Sequence, residues 1–173
     1  QKVLTHPFYR DILFQTLRIA AVSTLLCIVM GYVPAYFLAY ADVRHKVLLI
    51  LLLMLPFWIS YIIRTMSWIH VLGASGIVNT ILQWLGIIGE PIRMLYNEAS
   101  VVLGLVHFLL PFMVLNIYVS LEGIDRNLTD AAKSLGCTGW QAFREVTLPL
   151  SLPGLGAGTI LCFVLAAGTY ITP

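Results

Sequence analysis

The second half of the chain is interrupted by one long polar stretch, TDAAKSLGCTGWQAFREVTLP, at residues 129–149. The residues around it are mostly apolar, so the stretch separates two hydrophobic regions. Its pattern predicts two short helices joined by a tight turn. Thr129 is placed to cap the first helix, and Asp130 complements the positive end of that helix. Gly136 is expected to end it, because glycine adopts the left-handed conformation that closes many helices.

The second predicted helix begins after Thr138, whose hydroxyl can cap it. It places Trp140 and Phe143 three residues apart on one face. We expect this helix to end before Pro149, since proline lacks the backbone donor that a continuing helix needs.

The first predicted helix presents small side chains, Ala131 and Ala132, with Leu135 one turn further on. Small side chains let another surface approach the backbone closely. We therefore interpret residues 129–149 as a docking element, the alternative being an ordinary helical hairpin between two membrane spans. A DNA-binding helix-turn-helix is disfavoured, because the stretch carries as many acidic as basic residues.

Composition indicates an integral membrane protein. Sixty per cent of the 173 residues are hydrophobic and only 10% are charged, more apolar surface than a water-soluble domain of this size conceals. The formal net charge of +2 gives no argument for a nucleic-acid partner. The three cysteines form no CxxC pair, and the four histidines are scattered, so the sequence predicts neither a disulfide framework nor a metal site.

Four apolar runs predict membrane spans at about 12–40, 47–63, 99–120 and 153–171, and residues 121–149 form the loop between the last two. The first contains no charged residue between Ile19 and Tyr40. As a helix, this uncharged stretch is long enough to cross roughly 30 Å of hydrocarbon. The second contains Pro56 and is just long enough to span. Glycines and a proline punctuate residues 65–98, where we expect a short surface helix rather than one clean span.

Aromatic residues concentrate in two of these runs. Tyr32, Tyr36 and Tyr40 recur at every fourth position and so share one face, which favours an interfacial aromatic belt over a row of pathway-lining hydroxyls. Trp58 and Tyr61 stand near the end of the second run. Because aromatic faces attract alkylammonium groups, Tyr36, Trp58 and Tyr61 are the candidates for contact with a cationic substrate.

One set of fixed spacings resembles the EAA loop of ABC-importer permeases: Asp130, Ala131, Ala132, Gly136, Val146, Leu148 and Pro149. Asp130 stands where the family pattern has Glu, and Val146 where it has Ile, and neither difference changes charge or branching. Two further segments, PFWISYIIRTMSW at 56–68 and GTYITP at 168–173, are similar to segments of the spermidine and putrescine permeases.

The resemblance implies an all-α membrane protein with the multi-span helical (MetI-like) permease core of type I ABC importers. It places residues 129–149 in the cytoplasm, where the loop would dock onto ATPase subunits. It assigns that docking to Asp130, Ala131, Ala132, Leu135, Gly136, Leu148 and Pro149. It also implies a second permease subunit, identical or different, and a periplasmic substrate-binding protein that delivers a small solute, a polyamine by family likeness. The protein would lie as a multi-pass subunit among the lipids of the bacterial inner membrane.

The sequence carries no Gly-rich phosphate loop followed by Lys-Ser/Thr, so we expect ATP to be bound by a partner and the chain to be a transport subunit without a cofactor of its own. A non-transporting assembly or sensor subunit is the alternative. A secondary transporter is disfavoured, since no carboxylate for ion coupling is evident within a span. Basic residues are balanced between the two sides of the membrane and do not set the orientation. The chain starts at Gln1 and stops near the end of an apolar run, so we expect truncation at both ends.

Overall fold

The computed structural model describes residues 7–41, 43–95 and 97–171, without the side chains of residues 7–9, 43, 44, 61, 62, 170 and 171. Every regular element among these residues is helical, which confirms the all-α class. In chain order the elements are α1 (Pro7–Tyr40), α2 (Val43–Trp58), α3 (Tyr61–Leu72), α4 (Ile77–Trp84), α5 (Glu98–Glu122), α6 (Arg126–Ser134), α7 (Gly139–Ala142), a π turn (Phe143–Thr147) and α8 (Leu148–Ile171).

Helices α1, α5 and α8 form the core. The first two run parallel: the Cys27 thiol faces the carbonyl of Val106, and one turn further along α1, Gly31 lies against Met113 of α5. The fully buried side chains of the core are apolar or small, as close packing between helices requires. The largest of them are Ile19, Leu109, Met113, Val114 and Ile117.

Helix α8 packs antiparallel to α5 through two glycines. A Cβ atom on Gly154 would lie 2.3 Å from the Cβ of Ser120 and 2.5 Å from the carbonyl oxygen of Asn116. A Cβ atom on Gly158 would lie 2.8 Å from the sulfur of Met113. Gly154 and Gly158 therefore form a small-residue face, and this face sets how closely the two helices approach.

Four helical segments within the described residues are long and apolar enough to cross a membrane: Arg10–Tyr40, Ile63–Trp84, Glu98–Glu122 and Gly139–Thr169. Two of them contain the runs predicted at 12–40 and 99–120, and the last one overlaps the run predicted at 153–171 as far as Thr169. The second segment does not coincide with the run at 47–63, and it joins α3 and α4 across a bend at residues 73–76.

The expectation of one helix over residues 47–63 is wrong. Helix α2 ends at Trp58, and α3 begins at Tyr61. Pro56 removes a backbone donor near this end, and the guanidinium of Arg64 donates to the carbonyl oxygens of Pro56 and Ile59. The end of α2 is thus capped by a cation, which also complements the helix dipole.

A short helix, α4, lies within residues 65–98, where one was expected. Its Asn79 is buried, and the side-chain amide donates to the carbonyl of Gly73 at 2.9 Å and to that of Ile92 at 3.0 Å. The same side chain accepts the N–H of Ile92 at 3.0 Å. One fully bonded amide therefore holds this irregular region together.

Candidate partner-docking site

The polar loop begins with α6, which starts four residues earlier than a cap at Thr129 predicts. The carboxylate of Asp125 accepts the N–H of Asn127 at 2.9 Å and is the cap, so the assignment of that role to Thr129 is wrong. Aspartate caps a helix somewhat better than threonine, and it lies first along the chain. Asp130 consequently falls inside α6, where it forms an exposed ion pair with Lys133 at 3.6 Å.

Helix α6 ends at Gly136 as predicted. The φ angle of Gly136 is +92°, its N–H donates to the carbonyl of Lys133 at 3.0 Å, and the N–H of Cys137 donates to that of Ala132 at 3.1 Å. These two bonds define a Schellman turn, the common way of closing a helix with a left-handed residue. A Cβ atom on Gly136 would meet nothing within 4 Å, so the backbone conformation and not space requires glycine.

The outward surface of the loop is apolar in one strip, formed by Leu128, Ala131 and Leu135, which we call the docking stripe. Its members share one face of α6, and the side chain of Leu135 is 87% exposed. Trp140, 70% exposed, lies on the second short helix of the same loop. Exposed apolar side chains in a polar loop favour contact with a partner protein.

Of the seven docking residues taken from the resemblance, only two lie on the docking stripe. Ala131 and Leu135 belong to it, whereas Ala132 is half-buried and Asp130 faces away. Leu128 was missed by the sequence reasoning, although its spacing of three and seven residues from Ala131 and Leu135 is the helical signal that could have found it.

Helix α7 is capped as predicted. The Thr138 hydroxyl accepts the N–H of Gln141 at 3.3 Å, and the Gln141 side chain accepts the N–H of Thr138 at 2.8 Å. The expected end of the helix before Pro149 is wrong. The backbone continues through the π turn, in which the N–H of Leu148 donates to the carbonyl of Phe143 five residues earlier, and Pro149 lies in the first turn of α8.

The π turn changes how the loop is attached. Its wider ring of hydrogen bonds shifts the helical register just ahead of Pro149, where a regular helix would be interrupted. Leu148 and Pro149 are therefore not the end of a separate loop helix. They open the helix α8, so the second half of the docking loop, from Gly139 onward, is continuous with the last helix of the core.

The loop contacts α1 through an aromatic cluster, formed by Tyr32, Tyr36, Tyr40, Trp140 and Phe143. The Phe143 ring lies edge-to-face against Tyr32 at 5.8 Å and Tyr36 at 5.6 Å between ring centroids. Trp140 stacks on Phe143 at 5.3 Å, and Tyr40 lies 4.6 Å from Tyr36. The tyrosine row, interpreted from sequence as an interfacial belt, thus packs partly against the loop, a long-range contact that periodicity does not reveal.

The base of the loop is held by two cations. The Arg126 guanidinium donates to the carbonyl of Ala39 at 3.2 Å and lies 5.5 Å from the centre of the Tyr40 ring. Lys46, at the start of α2, donates to both carboxylate oxygens of Glu122 at 2.7 and 2.8 Å. The start of α2 therefore lies beside the docking loop.

Two of the three candidate substrate contacts, Tyr36 and Trp58, lie apart from each other. Tyr36 is half-buried in the aromatic cluster, and Trp58 is 90% exposed at the end of α2 that points away from the loop. The side chain of Tyr61 lies outside the described residues. Within those residues, no group of three or more His, Cys, Asp or Glu side chains could hold a metal ion.

Residues 17–173 match a family model described as the inner membrane component of binding-protein-dependent transport systems. The chain belongs to this family. As a binding-protein-dependent transport component it is 40% identical over 167 residues to the spermidine/putrescine permease PotB of Escherichia coli K12. The match covers 96% of this chain and 61% of PotB. The chain thus spans about three fifths of the length of the PotB proteins it matches.

Two further comparisons agree with this family of inner membrane components. The molybdenum transport permease ModB of Escherichia coli K12 is 30% identical over 169 residues, covering 97% of this chain and 71% of ModB. The crystal structure of a bacterial ABC transporter for import of the acidic polysaccharide alginate superimposes with a TM-score of 0.76 at 19% identity. The superposition covers 93% of this chain and 58% of the transporter chain, and it confirms the permease fold.

Proposed function

We propose that this chain forms part of the translocation path of an ATP-driven importer and that its polar loop docks onto a cytoplasmic ATPase subunit. The observation that carries the proposal is the docking stripe, an exposed apolar strip in a polar loop whose second helix continues through the π turn into α8. A surface that served only to connect two spans would not need Leu135 almost fully exposed. Family membership supplies the setting, because the matching family is the inner membrane component of transport systems that depend on a binding protein.

The proposed partners follow from this arrangement. ATP would be bound by the ATPase subunits and not by this chain, which then works without a cofactor of its own. A second permease subunit, identical or different, would complete the path across the membrane, and a periplasmic substrate-binding protein would present the solute on the other side. The apolar outer faces of the helices would contact lipid, and nucleic acid has no part in the proposal.

The proposed solute is a polyamine of the spermidine or putrescine type. The 40% identity to PotB supports this choice. Within the part of the chain that the structure describes, the apolar middle of each spanning helix carries no Asp or Glu, so a carboxylate there is not available to pair with an extended polycation. Aromatic faces such as those of Tyr36 and Trp58 offer the weaker cation–π contact that suits transient binding along a path. Selection of the solute would then rest mainly on the binding protein.

The test is uptake of radiolabelled spermidine and putrescine by cells that lack their own polyamine uptake. The full-length protein is expressed with its cognate ATPase, second permease subunit and binding protein. The matched control carries an ATPase whose phosphate-loop lysine is replaced by alanine. We expect uptake that the control abolishes. Capture of the ATPase without uptake of any offered solute would favour the non-transporting assembly or sensor subunit.

A further inference from the structure

The docking loop touches α1 at both of its ends, although α1 lies about a hundred residues earlier in the chain. At the entry to α6, Arg126 binds the carbonyl of Ala39 and covers the Tyr40 ring. Near the exit, the Phe143 ring lies against Tyr32 and Tyr36. The loop therefore contacts the last two turns of α1 at two points, and it also continues into α8.

The contact near the exit is the more specific of the two. Both ring pairs that Phe143 makes with α1 are edge-to-face, with interplanar angles of 86° and 80°, the arrangement that aromatic rings prefer. The Tyr32 hydroxyl also hydrogen-bonds to the buried Ser151 of α8 at 2.9 Å. Tyr32 thus joins α1, the π turn and the first turns of α8 at one point.

Helix α1 is in turn firmly held by the core. A Cβ atom on Gly31, one residue before Tyr32, would lie 3.1 Å from Cγ of Met113 on α5. Two turns further back, Ser23 and Thr24 are buried as well. Since packed cores transmit displacement and do not absorb it, a movement of this part of α1 reaches α5.

We propose that Phe143 is a positioning residue that ties the docking loop to α1, so that the two move as one unit when an ATPase partner displaces the loop. The inference rests on the proposed function and deepens it. It states that displacement enters the core through α1 as well as through the covalent continuation into α8. Arg126 supports the same link at the other end of the loop.

The first test replaces Phe143 by leucine, which keeps an apolar side chain and removes the ring. The matched control is Phe163→Leu, at a half-buried phenylalanine of α8 outside the aromatic cluster. We expect the ATPase to co-purify with F143L as with the wild type. Uptake should fall roughly tenfold, because two edge-to-face contacts are lost, and the substrate-loaded binding protein should no longer stimulate ATP hydrolysis.

Three results of this test overturn the inference: unchanged uptake in F143L, loss of ATPase capture together with uptake, or an equal loss in F163L. The second would mean that Phe143 only shapes the docking surface. If the wild-type protein itself captures no ATPase, the proposed function fails, whatever the variants do. The two failures are thereby distinguished.

The second test restores the link covalently. Tyr36→Cys and Phe143→Cys are combined with Cys137→Ser, and the two new thiols are joined by a short, reducible bifunctional reagent. We expect low uptake before the reaction, recovery of most of the uptake after it, and loss again on reduction. An absence of crosslinking, or a crosslinked protein whose uptake stays low, overturns the inference.

Discussion

At the scale of single residues, two glycines are required for different physical reasons. Gly136 has a φ angle of +92° and open space around it, so glycine is required there by the backbone conformation and not by packing. Gly154 lies inside α8, where its missing Cβ leaves room for Ser120 and for the backbone of α5. The first shapes the docking loop, and the second sets the approach of two core helices.

Replacing Gly136 by valine tests the loop. A β-branched residue opposes the left-handed conformation by on the order of 1–2 kcal/mol, so the Schellman turn should open and displace Leu135. We expect a several-fold loss of uptake at an unchanged amount of protein in the membrane. Gly139→Val is the control, since Gly139 has no positive φ and open space around it. Equal losses in both variants would contradict the assignment.

Replacing Gly154 by alanine tests the core. The added methyl group would meet Ser120 and the carbonyl of Asn116, so α8 must move away from α5 at a cost of about 1–3 kcal/mol. At Gly156 a Cβ meets nothing within 4 Å, and alanine there should stabilise the helix by up to about 1 kcal/mol. Thermal unfolding in detergent should shift in opposite directions for the two variants. A shift in the same direction would show that α5 and α8 do not pack this closely.

At the scale of elements, the docking loop shows what local sequence predicts and what it does not. The caps at Gly136 and Thr138 are confirmed, because turn and capping chemistry depends on a few adjacent residues. The start of α6 after Asp125 was missed because two residues that can cap a helix, Asp125 and Thr129, stand close together and only the first caps α6. The π turn before Pro149 was missed because the shift in register depends on how the loop packs against α1.

Leu135→Asp tests the docking stripe directly. Leu135 is almost fully exposed, so a charge there costs the fold little, whereas a charge buried without a partner in an apolar interface weakens binding strongly. We expect unchanged thermal unfolding and at least tenfold weaker capture of the ATPase by the full-length protein. Ser134→Asp is the matched control, an adjacent exposed position outside the stripe. If S134D loses as much binding as L135D, the stripe is not the contact surface.

At the scale of the whole molecule, the permease fold was predicted from the resemblance of the loop residues to ABC-importer permeases, whereas composition and the length of the apolar runs predicted an integral membrane protein with helical spans. Those properties depend on the free energy of transfer into lipid, which adds up along the sequence. The division of the second run into α2 and α3 was not predictable in the same way. It depends on Arg64 reaching back to the carbonyls of Pro56 and Ile59, a contact that hydropathy does not represent.

The candidate site shows the same limit. The resemblance supplied docking residues one by one, and only the fold shows which of them share a surface. Leu128, which the resemblance did not name, lies on the docking stripe. Asp130, which it did name, faces away from the stripe. Two tyrosines of α1 contact Phe143, which lies far away in sequence. Residues separated by about a hundred positions are brought together by packing, which no local pattern encodes.

The most direct measurement uses Cys137, which follows Gly136 and is half-buried beside the docking stripe, whereas Cys27 and Cys162 are fully buried in the core. Membranes holding the full-length protein and its ATPase are treated with a short thiol crosslinker, with Cys137→Ser as the control. The account predicts an adduct with the ATPase that the control lacks. Labelling of Cys137 from outside intact cells by a membrane-impermeant thiol reagent would contradict it, because the loop would then face away from the ATPase.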